Sequence, residues 1–304
     1  MKKRISVFLI FLLLLSGCAK STNPAGPLVV TTNFPAYDFA RQILGDEGQV
    51  VLLIPLGGEA HGYEPTLKDL AMVQSCDVFI YNGGESDAYA EQLLEKCDRN
   101  KKTVIRMMDH VELLIAGEEH HEHHHQHTHH EADEHIWVTP QNALRIANAI
   151  GKGLQTAVPN HAEQYEKNSA VLQKGLQMLV EQYEILRKAT HKPLLVADRF
   201  PFTYLVQEYD LLYYAAFSGC TSNTEVGVSA MSELLEQART HEVQTVLYTE
   251  FSNGNLASHI AKGVGSKTAV WHSCHNVSKQ DFENEITYQQ LMMNNLDVLK
   301  EALF

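Results

Sequence analysis

The sequence has few cysteines and far fewer bases than acids. It contains five cysteines against seventeen histidines, and 24 lysines and arginines against 37 aspartates and glutamates. The formal net charge of −13 argues against nucleic-acid partners, which need a basic surface. The same acidity attracts cations over long range, or serves only to keep the chain soluble. With 304 residues, of which 44% are hydrophobic and 20% charged, the composition is that of a globular protein long enough for two domains.

The apolar run at the N-terminus is too short to cross a bilayer. It extends from Ile5 to Leu15 behind three basic residues, which predicts a secretory signal. The run ends in "LSGC", which resembles a bacterial lipobox and implies a signal peptide over residues 1–17 and acylation of Cys18. A plain signal peptide with a chance cysteine is the alternative. Residues 18–27 then form a tether, and loss of three bases takes the formal charge from −13 to −16. We therefore expect a lipid-anchored protein on the extracytoplasmic face of the cell membrane.

Eight β-branched segments alternate with amphipathic segments along the rest of the chain. Continuous apolar runs separated by helices are typical of parallel sheets covered on both faces. We predict an α/β fold of two lobes, each a roughly four-stranded parallel sheet flanked by helices and joined by one long helix. The predicted divisions are an N-terminal lobe over 28–157 with a His-rich loop at 118–134, a linking helix over 158–190 and a C-terminal lobe over 191–304.

Several metal-binding side chains follow the predicted strands, at the sheet edge where open parallel sheets bind ligands. Taken singly each is a weak signal, because loop histidines are usually solvated and the acids could cap helices. Their common edge points instead to one site in a cleft between the lobes. The excess of histidine over cysteine favours nitrogen ligands, which suit Zn²⁺. The candidates are His61, His135, Asp198, Glu250, His272 and His275.

Five segments resemble the cluster A-I solute-binding lipoproteins of zinc and manganese ABC importers, and the resemblance covers nearly the whole mature chain. "VVTTNFPAYDFARQILGD" is similar to the family's first strand and helix, and "NGGESDAY" and "LYTEF" also match family positions. "HGYEPT" resembles the motif H-x-Y-E-P-T, and "EHIWVTP" resembles the segment D-x-H-x-W-x-x-P. The resemblance implies that His61 and His135 bind the metal. A His-rich loop is typical of the family's zinc-preferring members.

The second lobe departs from the family pattern. Where the family has a His or Glu ligand, this chain has Arg199, a permanent cation that cannot bind a metal. The neighbouring Asp198 could substitute, and His272 aligns with the family's terminal Asp. The predicted ligands are thus His61, His135, His272 and Asp198, with Glu250, His275, Cys274 or water open as alternatives.

Nine histidines lie between Glu118 and Pro140, interleaved with acids. His135 apart, they form a low-complexity tract that we expect to collect zinc weakly near the cleft; a solvated insertion with no role is the alternative. The tract contains H-E-x-x-H, but that motif forms an enzyme's zinc site only on an ordered helix, so we predict no enzyme. The predicted collectors are His120, His121, His123, His124, His125, His127, His129 and His130.

Four cysteines remain after Cys18 in a chain that we expect to be exported, where disulfides persist. The predicted topology suggests the pairs Cys76–Cys97 and Cys220–Cys274. A thiolate ligand at Cys274 is the alternative to the second pair.

These features together predict a monomeric protein that captures Zn²⁺ between two lobes and delivers it to the permease and ATPase of an ABC importer. Binding requires no nucleophile and no catalytic water. Transport of Mn²⁺ or another divalent metal is the first alternative. A membrane-anchored zinc enzyme and surface zinc storage or adhesion are the others.

Overall fold

The computed structural model describes residues 26–58, 62–114, 132–189, 192–217 and 227–304. Eight short strands form two four-stranded sheets in which every neighbouring pair is parallel. The strands are β1 (Leu28–Thr31), β2 (Gln49–Leu52), β3 (Val78–Tyr81), β4 (Thr103–Arg106), β5 (Leu194–Val196), β6 (Tyr213–Ala215), β7 (Thr245–Tyr248) and β8 (Lys267–Val270). The strand orders are β2-β1-β3-β4 and β6-β5-β7-β8. The same order in both sheets confirms the predicted pair of similar α/β lobes.

Helices cover both sheets, as the alternating amphipathic segments predict. Thr139 caps one of them, since its hydroxyl accepts from Asn142 N at 3.2 Å and Pro140 takes the first helical position. The helices are α1 (Phe34–Leu44), α2 (Leu67–Ser75), α3 (Ala88–Glu95), α4 (Pro140–Ala157), α5 (Ala162–Tyr183), α6 (Thr203–Glu208), α7 (Val228–Thr240), α8 (Asn255–Val264), α9 (Lys279–Glu283) and α10 (Tyr288–Leu303).

Helix α5 is the predicted long helix. It has 22 residues and is therefore about 33 Å long, and the chain then tightens into a 3₁₀ helix over Glu184–Lys188. It packs against α1 and α4 of the first lobe and against α10 at the end of the chain. The helix therefore packs along the helices of the first lobe as well as connecting the two lobes.

The two lobes share one apolar core. Successive residues of a strand point to opposite faces, so Val29 belongs to the shared core while Val30 belongs to a cluster confined to the first lobe. The second lobe has its own outer cluster around Leu195 and Val246. The shared core continues from β1 through α5 to β5 and α10, which joins the lobes through buried apolar surface.

The end of the chain also returns to the first lobe. Tyr288, at the start of α10, donates through its hydroxyl to Trp137 O at 2.6 Å and through its backbone N to Asp38 Oδ2 at 2.8 Å. Arg41 of α1 donates to Ile286 O at 2.7 Å. Although the prediction assigns residues 191–304 to the second lobe, this part of them is hydrogen-bonded to the first.

The structure corrects the predicted disulfides. Among the described residues Cys76, Cys97 and Cys274 are free thiols. The thiols of Cys76 and Cys97 each donate at 3.2 Å to a carbonyl of the preceding turn, those of Val73 and Leu93. Cys274 is fully buried, 3.9 Å from the sulfur of a methionine, so the core encloses this thiol.

Several predictions fall outside the described residues. They concern the signal peptide with Cys18, the ligand His61, the His-rich tract with its eight collector histidines, and Cys220. Within the described part of the chain, no helix is both long enough and apolar enough to cross a membrane.

Candidate metal site in the cleft

A loop that follows β8 connects the two lobes at the cleft; we call residues 272–277 the bridging loop. Its backbone carbonyl at His275 accepts from Phe34 N, the first residue of α1, at 3.0 Å. The side chain of Asn276 donates to Pro55 O at 2.8 Å and to Gly58 O at 2.9 Å. A loop that begins in the second lobe is thereby held against the first.

His135 lies at the end of the segment that leads into α4, and it is 5% exposed. Its backbone N and its ring Nδ1 both contact Asp133 Oδ1, at 2.8 and 2.9 Å. A carboxylate only accepts, so the proton of the neutral ring lies on Nδ1 and Nε2 carries the lone pair that a metal would use. This arrangement of carboxylate and imidazole is the one that orients histidine ligands in metalloproteins.

Asp133 keeps its negative charge although it is buried. Burial raises the pKa of this carboxyl, but hydrogen bonds from His135 more than compensate, and the net pKa lies below its usual range. Its backbone carbonyl accepts from the hydroxyl of Tyr204, in α6 of the second lobe, at 3.0 Å. The residue that orients His135 is thus itself held from across the cleft.

His275 faces the same space as His135. The centroids of the two rings are 6.0 Å apart, and the ring of His275 packs against Trp137 at 4.8 Å. The indole N–H of Trp137 donates to Ser273 O at 2.8 Å, which fixes the bridging loop behind the ring. A cavity of about 270 Å³ opens here between the lobes, and its wall includes His135, Asp198, Arg199, Glu250, His275 and Asn276.

Both acids on this wall are engaged by donors of the second lobe. Asp198 Oδ2 accepts from the backbone N and the hydroxyl of Thr249 at 3.0 and 2.9 Å, and Oδ1 accepts from Arg199 N at 2.8 Å. Glu250 accepts from the backbone N of Ser273 at 2.8 Å and from its hydroxyl at 2.5 Å. Asp198 therefore joins the ends of β5 and β7, and Glu250 anchors the bridging loop.

His272 does not reach the cavity wall. Its Nδ1 accepts from Cys274 N at 2.9 Å and lies 3.6 Å from Glu250 Oε1, while its backbone N and O bond the amide of Asn295 in α10. The structure brings His275, which the sequence left as an alternative, to the wall beside His135.

Sequence reasoning missed the role of Asp133. Its only signal was its position two residues before His135 in the D-x-H motif. The described ranges, which omit residues 59–61, contain no group of three or more His, Cys, Asp or Glu side chains placed to hold a metal ion. The described part of the site thus consists of the imidazoles of His135 and His275 and the residues that hold them in place.

Residues 29–302 match the family model described as zinc-uptake complex component A, periplasmic. The chain is 32% identical to the zinc-binding lipoprotein AdcA of Streptococcus pneumoniae, over 99% of this chain and 61% of that protein. It is also 32% identical to the high-affinity zinc uptake system protein ZnuA of Bacillus subtilis, over 90% of this chain and 87% of that protein. The chain thus spans less than two thirds of the streptococcal relative and most of the Bacillus one.

Two solved structures share the fold along most of the chain. The metal-dependent lipoprotein YcdH of Bacillus subtilis superposes with a TM-score of 0.78 at 28% identity, covering 91% of this chain and 100% of that one. The Zn(II)-bound ZnuA-like domain of Streptococcus pneumoniae AdcA gives a TM-score of 0.77 at 29% identity, covering 91% and 99%. Because the family pattern extends from the first strand to the last helix, the chain belongs to the ZnuA family of periplasmic zinc-uptake components.

Proposed function

We propose that this protein captures Zn²⁺ in the cleft between its lobes and delivers it to the membrane permease and ATPase of an ABC importer. One observation carries the proposal: His135 and His275 wall a single cavity between the lobes of a chain that belongs to a zinc-uptake family. The protein acts by binding and release, so it is a transport component and not an enzyme.

His135 and His275 are the proposed ligands from the described residues, and His61 is the third. Asp133 orients His135, while Glu250 and Asp198 hold the bridging loop and the strand ends. His272 is the alternative to His275, but its Nδ1 accepts from Cys274 N, so its neutral ring carries the proton on Nε2 and would have to give up that hydrogen bond to bind a metal. Asp198 and Glu250 stay alternative ligands, because a carboxylate that accepts hydrogen bonds keeps further lone pairs for a metal.

Zinc is the proposed cargo because the donors are nitrogen atoms. Imidazoles suit Zn²⁺, whereas Mn²⁺ prefers carboxylate, carbonyl and water oxygens. The names of both close relatives refer to zinc, and a Zn(II)-bound structure exists for the domain of one of them. Cu²⁺ and Ni²⁺ compete by intrinsic affinity, so selectivity in the cell depends on their availability.

The protein works outside the cytoplasmic membrane in this proposal, as a monomer anchored through a lipid on Cys18. One relative is named a lipoprotein, and the "LSGC" segment supplies the acylated cysteine. The His-rich tract collects zinc weakly at many equivalent imidazoles and raises its concentration near the cleft.

The test is a titration of metal-free protein with Zn²⁺ against a competing chelator. His135→Ala and His275→Ala should each weaken binding by more than about 100-fold, since even residues behind a ligand contribute about 10–100-fold. His272→Ala is the matched control for His275→Ala, and we expect it to bind zinc like the wild type. The reverse order of the two variants would make His272 the ligand.

Deletion of residues 118–131 separates the cleft from the His-rich tract. We expect it to remove weak binding of additional ions and to leave the tight site intact. Loss of the tight site in this deletion, together with normal binding by His135→Ala, would refute the cleft site. Delivery to a permease is tested in cells, where deletion of the gene should abolish growth under zinc limitation.

A further inference from the structure

We propose that a groove between β4 and α4 docks an extended, acidic segment of a partner protein, which adds to the first sheet as a further strand. Residues 103–105 of β4 and His110 form one wall of this groove, and one face of α4 forms the other. The groove shares no lining residue with the zinc cleft. The inference therefore does not depend on the proposed transport function.

β4 is an outer strand of the first sheet and has one open side. In the order β2-β1-β3-β4 it pairs, among the described residues, with β3 alone. Thr103 N donates to Asp77 O at 2.9 Å, so the backbone of Thr103 faces β3. Backbone polar groups alternate in direction along a strand, and those of Val104 therefore face the open edge. Such an edge is a template on which another strand can pair.

The residues of α4 that line the groove lie on one side of the helix. Most of them recur every three or four residues, as one helix face requires: Arg145, Ala149, Lys152 and Thr156. The helix touches the strand at Gly153, where an added Cβ would lie 2.4 Å from Ile105 Cδ1. The groove opens outward from this contact, between the strand edge and the helix face.

The groove has the length of a short strand. The four residues of β4 span about 13 Å at about 3.3 Å per residue. Along α4 the distance from Arg145 to Thr156 is about 16 Å at about 1.5 Å per residue. The volume of about 540 Å³ lies within the range of about 300–1,000 Å³ that is usual for binding clefts. An extended segment of about four or five residues therefore fits.

The lining of the groove carries positive charge and includes no acid. Arg145 and Lys152 are both exposed, and His110 adds a third positive charge when it is protonated. Arg145 donates to the neutral amide of Asn142 at 2.9 Å, and neither Arg145 nor Lys152 forms an ion pair with an acid in the described part of the chain. In a chain of formal net charge −13, this local excess of cations favours an acidic partner.

The strand edge and the cations together define the occupant. Strand addition supplies backbone hydrogen bonds that do not depend on sequence, and the side chains beside the new strand supply the selectivity. A free anion would use the cations and leave the edge of β4 unpaired. A basic segment would pair with the edge and be repelled by Arg145 and Lys152. An extended acidic segment uses both features.

The test is a selection of random peptides of about seven residues, long enough to fill the groove, on the full-length protein. The selected peptides should be rich in Asp and Glu and lack Pro, which has no N–H for strand pairing. Arg145→Glu/Lys152→Glu reverses the charge of the groove and should bind them about tenfold or more weakly. The matched control, Arg239→Glu/Lys262→Glu, reverses two exposed cations of the second lobe and should bind them like the wild type.

Three outcomes of the selection would overturn the proposal. They are the absence of any selected peptide, peptides without acids, and equal binding by wild type and Arg145→Glu/Lys152→Glu. Circular dichroism establishes that both double variants are folded, so weaker binding reports on the groove and not on loss of structure.

Hydrogen exchange then shows whether the peptide adds as a strand. The amide of Val104 should exchange more slowly with the selected peptide bound, because the open edge gains a partner. The control is Val50 in β2, at the other edge of the sheet, where Gln49 N donates to Pro27 O and the backbone of Val50 therefore faces outward. Its exchange should not change. An unaltered exchange rate at Val104 would overturn the proposal, since the peptide would then bind without strand pairing.

Discussion

Replacement of Asp133 tests whether His135 is a ligand that a carboxylate holds in place. The side chains of His135 and Asp133 are 7% and 10% exposed, so bulk water cannot replace a lost hydrogen bond. Asp133→Asn keeps an acceptor oxygen for the ring N–H but removes the negative charge. Asp133→Ala removes both hydrogen bonds, at 2.8 and 2.9 Å, and the charge.

The expected losses follow from this geometry. Partners of this type are worth about 10–100-fold in metal affinity, which is about 1.4–2.7 kcal/mol. Because Asn retains the acceptor, Asp133→Asn should weaken zinc binding by about tenfold and Asp133→Ala by about 100-fold. Ionised Asp133 also stabilises the fold, since its pKa is below the usual range, so both variants should unfold at a lower temperature.

The assay is chelator competition at pH 7.5, with circular dichroism to establish that each variant is folded. The matched control is Asp109→Asn, an exposed carboxylate that pairs with Arg106 at 2.8 Å outside the cleft. We expect it to bind zinc like the wild type. Folded Asp133→Ala that bound zinc with wild-type affinity would refute the reasoning, because His135 would then be either unoriented by this acid or not a ligand.

Three further predictions concern residues of the first lobe outside the metal site. Gly84 has φ = +88°, and a Cβ there would lie 2.5 Å from a glutamate oxygen. Gly84→Ala should therefore destabilise the fold by about 1–3 kcal/mol, whereas Gly175→Ala, in the interior of α5, should not; equal melting temperatures for the two variants would contradict this. Burial raises the pKa of the Asp87 carboxyl to about 6 from 3.8. Below pH 3.8 this carboxyl is neutral in both the folded and the unfolded chain, and its full contribution to stability is present. That contribution is lost as the pH rises through 6, because burial disfavours the charged form. The difference in unfolding free energy between wild type and Asp87→Asn should fall by up to about 3 kcal/mol from pH 4 to 7, and a pH-independent difference would contradict the raised pKa. Finally, Cys76 and Cys97 should both be alkylated in denatured protein without reductant, which mass spectrometry would detect. Alkylation only after reduction would show that the predicted Cys76–Cys97 disulfide forms after all.

The strands and helices were predictable because their signals are local. Strands buried on both faces read as continuous apolar runs, and Thr139-Pro140 marks the start of α4 by its own chemistry. The end of α5 was less predictable, since a 3₁₀ turn continues the same apolar spacing for five more residues. The disulfide prediction placed two cysteines at one sheet edge, but sequence spacing cannot show which group each sulfur contacts.

The site, like the fold, was predictable from the sequence only in part. His135 was predicted as a ligand from its motif, and the cleft from the strand ends, because parallel strands bring their carboxyl ends to one edge. His272 and His275 are three residues apart in a loop without periodicity, so their order in sequence says nothing about which one reaches the cavity. The contacts that decide this come from Glu250 and Asn295, which are distant in sequence.

The sequence by itself determined the class of protein: the two α/β lobes and the family, together with an unusual arginine where the family pattern has a ligand. Those conclusions depend on residue type and on spacing within single elements, which folding does not rearrange. Tertiary structure alone decided that His275 lies on the wall, that Asp133 orients His135 and that the bridging loop ties the lobes together. The position of His275 and the bridging loop depend on hydrogen bonds between residues far apart along the chain, and such pairs exist only after the two lobes have packed into one core. The contact between Asp133 and His135 is local, but the hydroxyl of Tyr204 holds Asp133 from the second lobe.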